Sequence, residues 1–158
     1  MFAAPQTEHQ RLDRLVGKWK FEHKCEGGPD QPGNVSQGTV QARSLGGMWL
    51  ILETEGTHDG NKWSSIMTLG FDPALGKYVG SFVGSMMGNI WNYVGDYDPA
   101  GNRVVLDTTG PKMDGSGTAR YQDIVEFIDD DHWNLRSQIL GDDGNWTEFM
   151  FGTHRRVA

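Results

Sequence analysis

The ten residues that decide the fold of this chain read Gly17-Lys18-Trp19-Lys20-Phe21-Glu22-His23-Lys24-Cys25-Glu26, and the first strand is predicted over residues 18–26. Charged side chains occupy every second position from Lys18 onward, and the positions between them carry Trp19, Phe21, His23 and Cys25. Alternation with a period of two predicts a β-strand with one face in water and the other turned inward. We therefore expect those four side chains to point into the protein.

A short helix is predicted just before this strand, over residues 8–16. Thr7 is predicted to be its N-cap, and Gln10 would complete a capping box. Leu12, Leu15, Val16 and Trp19 follow at helical spacing, and Gly17 ends the segment.

The rest of the chain alternates and turns like a series of strands. They are predicted at residues 35–44, 48–57, 63–71, 78–86, 90–97, 104–109, 121–128, 133–140 and 146–155. The connections are short, as in Asp59-Gly60, so successive strands pair antiparallel, and closing the sheet removes its edges. The prediction is an all-β, antiparallel up-and-down β-barrel of about ten strands in one domain, residues 1–158. A β-sandwich is the alternative.

Residues near the two ends of the chain resemble those that close one end, the floor, of calycin barrels. This group comprises lipocalins, fatty-acid-binding proteins and avidins. The resemblance lies in Gly17-Lys18-Trp19 on the first strand and Arg155 on the last. It implies that Arg155 packs over the indole of Trp19 and that Gly17, Trp19 and Arg155 close the barrel. Arg156 would replace Arg155 if the register of the last strand slipped by one.

Short motifs along most of the chain resemble a bacterial family within this group, domain of unknown function family 1579 (DUF1579). They are Leu15-Val16-Gly17-Lys18-Trp19, Ser44-Leu45-Gly46-Gly47-Met48-Trp49-Leu50, Leu69-Gly70-Phe71-Asp72, Lys77-Tyr78-Val79, Gly84-Ser85-Met86-Met87, Gly95-Asp96-Tyr97-Asp98 and Phe151-Gly152-Thr153-His154-Arg155. Gly84 departs from the family pattern, which has aspartate there. The resemblance implies a barrel and names no activity.

Composition excludes several classes of function. The 158 residues carry a net charge of −7, which argues against a nucleic-acid partner. No apolar run approaches the roughly 18 residues of a membrane span. The single cysteine, Cys25, and an N-terminus unlike a signal peptide predict a cytoplasmic protein.

The interior of such a barrel is the predicted binding site, with a mixed apolar and polar lining. The predicted ligand-binding residues are His23, Trp49, Met67, Phe82, Tyr93, Arg136 and Phe149. A lining of this kind suits one small hydrophobic or amphipathic molecule.

Two alternatives stay open. The barrel could be an isomerase, cyclase or hydrolase that uses His23, or a buried carboxylate such as Glu53 or Glu148, as its base. It could instead be filled by side chains and serve as an interaction module, and a homodimer also remains open.

No metal or cofactor is expected. The five histidines show no metal-ligand spacing. Some calycin barrels hold haem through a histidine near the C-terminus, but His154 neighbours Arg155 and is therefore expected to face outward.

Overall fold

A computed structural model describes residues 2–26 and 33–158 of the chain. One short helix and a single turn of 3₁₀ helix precede ten strands. They are α1 (Thr7–Leu12), the 3₁₀ turn (Asp13–Leu15), β1 (Gly17–Cys25), β2 (Asn34–Leu45), β3 (Trp49–His58), β4 (Asn61–Asp72), β5 (Lys77–Gly84), β6 (Trp91–Asp98), β7 (Arg103–Pro111), β8 (Thr118–Asp129), β9 (His132–Leu140) and β10 (Trp146–Arg156).

The strands form one closed antiparallel barrel in sequence order. Each strand pairs with the next, and β1 also pairs with β10, from Trp19 opposite Arg156 to Cys25 opposite Met150. This confirms the predicted ten-stranded up-and-down barrel and contradicts the sandwich. Trp19 and Phe21 are buried while Lys18, Lys20 and Lys24 are exposed, as the alternation in β1 predicts.

The helix begins one position earlier than predicted and is shorter. Gln6, not Thr7, is the N-cap, because the backbone is extended at Gln6 and its N–H donates to Nδ1 of His9 at 2.9 Å. After Leu12 the backbone tightens into the 3₁₀ turn. Within the described residues, no helix has the length and apolar character needed to cross a bilayer.

The helix and the 3₁₀ turn lie across one end of the barrel. Tyr78 accepts a hydrogen bond from Arg11 at 2.7 Å and donates one to the carbonyl of Glu8 at 2.9 Å. The guanidinium of Arg11 also lies 3.7 Å from the ring centre of Tyr97. Leu12 and Leu15 from these two elements join Trp19, Leu50, Leu69, Val104, Leu106 and Val125 of the barrel in one buried core.

The arginine over Trp19 is Arg156, so the predicted closing role of Arg155 is wrong. The Arg156 guanidinium carbon lies 4.3 Å from the indole centre, whereas Arg155 is exposed. A bulge between Glu148 and Met150 shifts the register of β10. The inward side therefore changes from odd to even positions along the strand, which brings Arg156 opposite Trp19.

Gly17 lies directly beneath this guanidinium. Its φ is +138°, and a Cβ there would collide with Nη1 of Arg156. Only glycine adopts this backbone conformation without strain and leaves room for the arginine.

Candidate ligand-binding site

The barrel encloses a cavity of about 720 Å³ at the end opposite the helix. Its wall is mostly aromatic and aliphatic. The apolar lining residues are Val40, Leu52, Trp63, Met67, Phe82, Trp91, Tyr93, Tyr121, Trp133, Leu135, Phe149 and Met150. A volume of this size lies within the range of small-molecule sites.

The mouth of the cavity is formed where β4 and β8 begin and β5 and β7 end. Met86, Met87 and Met113 lie there with exposed side chains, and Met113 is 71% exposed. Lys62 and Lys112 belong to the same rim. Methionine side chains are flexible and adapt to apolar partners of different shape.

Asp123 is the only carboxylate among the described residues of the cavity wall. Tyr93 donates its hydroxyl proton to Oδ2 of Asp123, and Ser137 donates to Oδ1 at 2.5 Å. Burial raises the pKa of Asp123, although the two hydrogen bonds oppose this shift. Burial, and then the neighbouring Asp123 charge, hold the pKa of Tyr93 well above its usual value.

His23 and His154 form a second polar group in the same wall. Nδ1 of His154 lies 3.3 Å from the carbonyl oxygen of Trp133 and must donate to it, so Nε2 of His154 carries the lone pair. Nε2 of His23 lies 3.4 Å from that nitrogen and donates its proton to it. The ring of His154 is buried and stacks on Trp133, with ring centres 3.5 Å apart.

Both imidazoles are neutral at neutral pH. Burial lowers the pKa of His23 to about 4. Burial, followed by the charge that His23 would carry, holds the pKa of His154 well below its usual value. The pair therefore adds no positive charge to the cavity.

Gly152 makes room for this pair. It lies opposite His23 across the β1–β10 seam, and a Cβ at Gly152 would collide with Cδ2 of His23. The absence of a side chain on β10 thus allows His23 to lie flat against the wall.

Five of the seven predicted ligand-binding residues line the cavity. They are His23, Met67, Phe82, Tyr93 and Phe149. Trp49 does not, because it lies on the outer face of β3, is 40% exposed and covers Gly70. Arg136 also lies outside, where it contacts Glu126 at 2.8 Å and Glu148 at 2.9 Å.

The predicted catalytic carboxylates are on the outer surface. Glu53 is half exposed and lies 3.6 Å from Arg43, and Glu148 pairs with Arg136. Each occupies a position whose strand neighbours point inward, so neither is the buried base that was predicted. The inward-facing carboxylate is Asp123, which lies between Tyr121 and Val125 on the inward side of β8. A single acid on the inward face of that strand is the signal that could have found it.

His154 was expected to be exposed and is in fact inside, for the same reason that Arg156 replaces Arg155. The bulge in β10 turns the even positions inward. Both ring nitrogens of His154 are engaged, by His23 and by the Trp133 carbonyl. Among residues 2–26 and 33–158, no three His, Cys, Asp or Glu side chains come together as metal ligands would.

The fold and the cavity define the class of protein: a closed antiparallel barrel with an internal site large enough for a small molecule. The chain belongs to DUF1579, a family of proteins of unknown function whose sequence model matches residues 4–156. Among functionally curated proteins, none matches the sequence.

Solved structures with the same fold are distant in sequence. Rv2717c from M. tuberculosis superimposes with a TM-score of 0.69 at 16% identity, covering 98% of this chain and 100% of that one. The S-type phycobiliprotein lyase CPES from Guillardia theta gives a TM-score of 0.59 at 15% identity, covering 98% and 99%. A redesigned β-barrel, mFAP0, bound to DFHBI gives 0.52 at 15% identity, covering 90% and 99%. At these identities the likeness concerns the fold alone.

Proposed function

We propose that this protein binds one small, largely apolar molecule with a polar end inside its barrel. The observation that carries the proposal is the cavity of about 720 Å³, whose largely apolar wall also carries the polar groups of Asp123, His23 and His154. Apolar area removed from water supplies affinity, and a small number of polar contacts orients the ligand.

A filled barrel acting as an interaction module is not supported, because side chains leave this volume free. The redesigned barrel mFAP0 holds DFHBI, which supports the idea that a barrel of this architecture can enclose a small molecule.

We propose binding without a cofactor and without chemistry. The histidine near the C-terminus, His154, has no free lone pair for a haem iron, because its Nε2 accepts a hydrogen bond from His23. Glu53 and Glu148, the carboxylates predicted as bases, face solvent on the outside of the barrel.

The proposal is tested with the freshly purified protein by native mass spectrometry, followed by a panel of fatty acids, fatty alcohols, fatty amines, retinoids and small aromatics. Ligands that occupy the cavity should quench tryptophan fluorescence and raise the melting temperature, since Trp63, Trp91 and Trp133 line it.

A matched pair of variants locates the site. Met67→Trp puts a large side chain into the cavity, whereas Ile66→Trp puts the same side chain on the outer face of the same strand. We expect Met67→Trp to weaken binding at least about tenfold and Ile66→Trp to leave it unchanged. Absence of any ligand across the panel, or equal effects of the two variants, would overturn the proposal.

A further inference from the structure

The distribution of charged side chains around the cavity restricts the charge that a ligand can carry. Among the described residues of its wall, Asp123 is the one acidic group, and the basic groups other than His23 and His154 are His58, Lys62 and Lys112, all at the mouth. Lys112 is already paired with Asp142 at 3.2 Å. The His23–His154 pair is neutral.

Asp123 is held only by neutral donors. The hydroxyls of Tyr93 and Ser137 each donate one hydrogen bond to it, and within residues 2–26 and 33–158 no lysine or arginine forms an ion pair with it. The carboxylates on the outer face differ: Glu53, Glu126 and Glu148 each lie within 3.6 Å of an arginine. The interior carboxylate thus lacks the countercharge that these surface carboxylates have.

The Asp123 carboxylate can accept further hydrogen bonds in addition to those from Tyr93 and Ser137. Each of its oxygens has two lone pairs, and Tyr93 and Ser137 use one on each. A buried charge without a partner is costly, so a cation that reaches Asp123 from the cavity gains both a hydrogen bond and charge compensation.

The aromatic wall favours the same sign of charge. Trp91, Tyr93 and Tyr121 belong to the cavity on the same side as Asp123, and the rings of Trp91 and Tyr121 contact each other with centres 5.0 Å apart. The faces of such rings attract cations and repel anions.

We propose that the ligand is an amphipathic amine, whose ammonium group binds Asp123 and whose apolar chain extends along the aromatic wall toward the methionines at the mouth. This inference rests on the proposed function, because it needs a ligand inside the barrel. It also makes Asp123 the residue that determines specificity.

The test is calorimetric titration of the full chain with a matched series: decylamine, decanol and decanoate. The three probes share one apolar chain and differ in the charge of the head group. We expect decylamine to bind about ten- to hundredfold more tightly than decanol, which is the range for a hydrogen bond to a charged group, and decanoate to bind weakest.

Asp123→Asn removes the charge at nearly constant shape, and Asp107→Asn, on the outer face of the neighbouring strand, is its control. Asp123→Asn should lose the preference for the amine while retaining decanol, and Asp107→Asn should bind like the wild type. Because the chain carries a net charge of −7, amines could also collect on its surface, and that fraction would persist in Met67→Trp.

The outcomes separate the two proposals. Equal affinity for the three probes, or an amine preference that survives in Asp123→Asn or in Met67→Trp, overturns the inference and leaves the ligand-binding barrel standing. Binding of neither this series nor the wider panel overturns both. If Asp123→Asn does not fold, the order of affinities in the wild-type protein still decides the inference.

Discussion

His23 and His154 are buried imidazoles whose neutral form the fold protects. His23 packs against Phe21, with ring centres 4.3 Å apart, and is stacked on Trp63. Because its pKa falls from 6.5 to about 4 on folding, the unfolded chain takes up a proton between these values while the folded chain does not. Lowering the pH from 6.5 to about 4 therefore favours the unfolded state. The stability that the neutral His23 contributes is fully present only above pH 6.5.

A first prediction follows for His23→Gln, since glutamine can still donate to Nε2 of His154. Between neutral pH and about pH 5, the wild-type free energy of unfolding should fall by about 2 kcal/mol more than that of the variant, as the shift of His23 requires. Urea unfolding at both pH values measures this difference.

Asp123 also contributes to the pH dependence of the free energy of unfolding, and this contribution cancels because the wild type and the variant both contain it. Its raised pKa acts in the opposite direction, because the folded state then binds the proton more tightly than the unfolded chain. His132→Gln, which removes a histidine from the outer surface, is the control. Parallel pH dependences in the wild type and His23→Gln would show that His23 is not protected in the folded state.

Among the secondary-structure elements, β10 contributes to both the cavity and the floor of the barrel, because its bulge changes which positions face inward. Its first part brings Phe149 and Met150 to the cavity wall, and its second part brings His154 inside and Arg156 to the floor. Arg156 also binds the 3₁₀ turn to the barrel: Nη1 donates to the carbonyl of Val16 at 2.8 Å and Nη2 to that of Arg14 at 3.1 Å. The last strand therefore holds the N-terminal segment in place.

The second prediction concerns this attachment. Arg156→Ala should lower the free energy of unfolding by about 2 kcal/mol, because it removes charged hydrogen bonds to backbone carbonyls and the packing over Trp19. Arg155→Ala is the matched control and should change stability by less than about 0.5 kcal/mol, since Arg155 is exposed. Chemical denaturation of both variants distinguishes the two arginines, and equal losses would contradict the assigned closure.

In the molecule as a whole, closure of the sheet separates the interior from solvent. An open sheet would leave β1 and β10 as edges with unpaired backbone groups. Here they pair along the seam from Trp19 to Cys25, and the helix lies across one end. Among residues 2–26 and 33–158, the cavity opens at the end away from the helix, so the proposed ligand would exchange with solvent there.

The third prediction tests closure directly by amide hydrogen exchange. Amides of residues 19–24 and 151–155 should exchange as slowly as those of the interior strands β4 and β8, because opening the seam requires global unfolding. The turn at residues 113–117 provides the fast-exchanging reference. Exchange at the seam as fast as in that turn would mean that the barrel opens along this line.

Much of this architecture could be predicted from the sequence, because strand alternation and turn residues are local signals. The ten strands and the inward face of β1 follow from them, as do Met67, Phe82 and Tyr93 in the cavity. The errors at Trp49, Arg136, Glu53 and Glu148 share one cause. On these strands, apolar and polar residues occur on both faces, so hydrophobicity alone does not identify the inward side.

The sequence by itself determined the strand order, the antiparallel pairing and a chain able to close on itself, since each depends on short-range pattern and chain length. Only the tertiary structure decided which arginine covers Trp19, that His23 meets His154, and that Asp123 lies between Tyr93 and Ser137. The physical reason is that one extra residue in β10 reverses its two faces, and contacts across the barrel depend on the register of every strand around it.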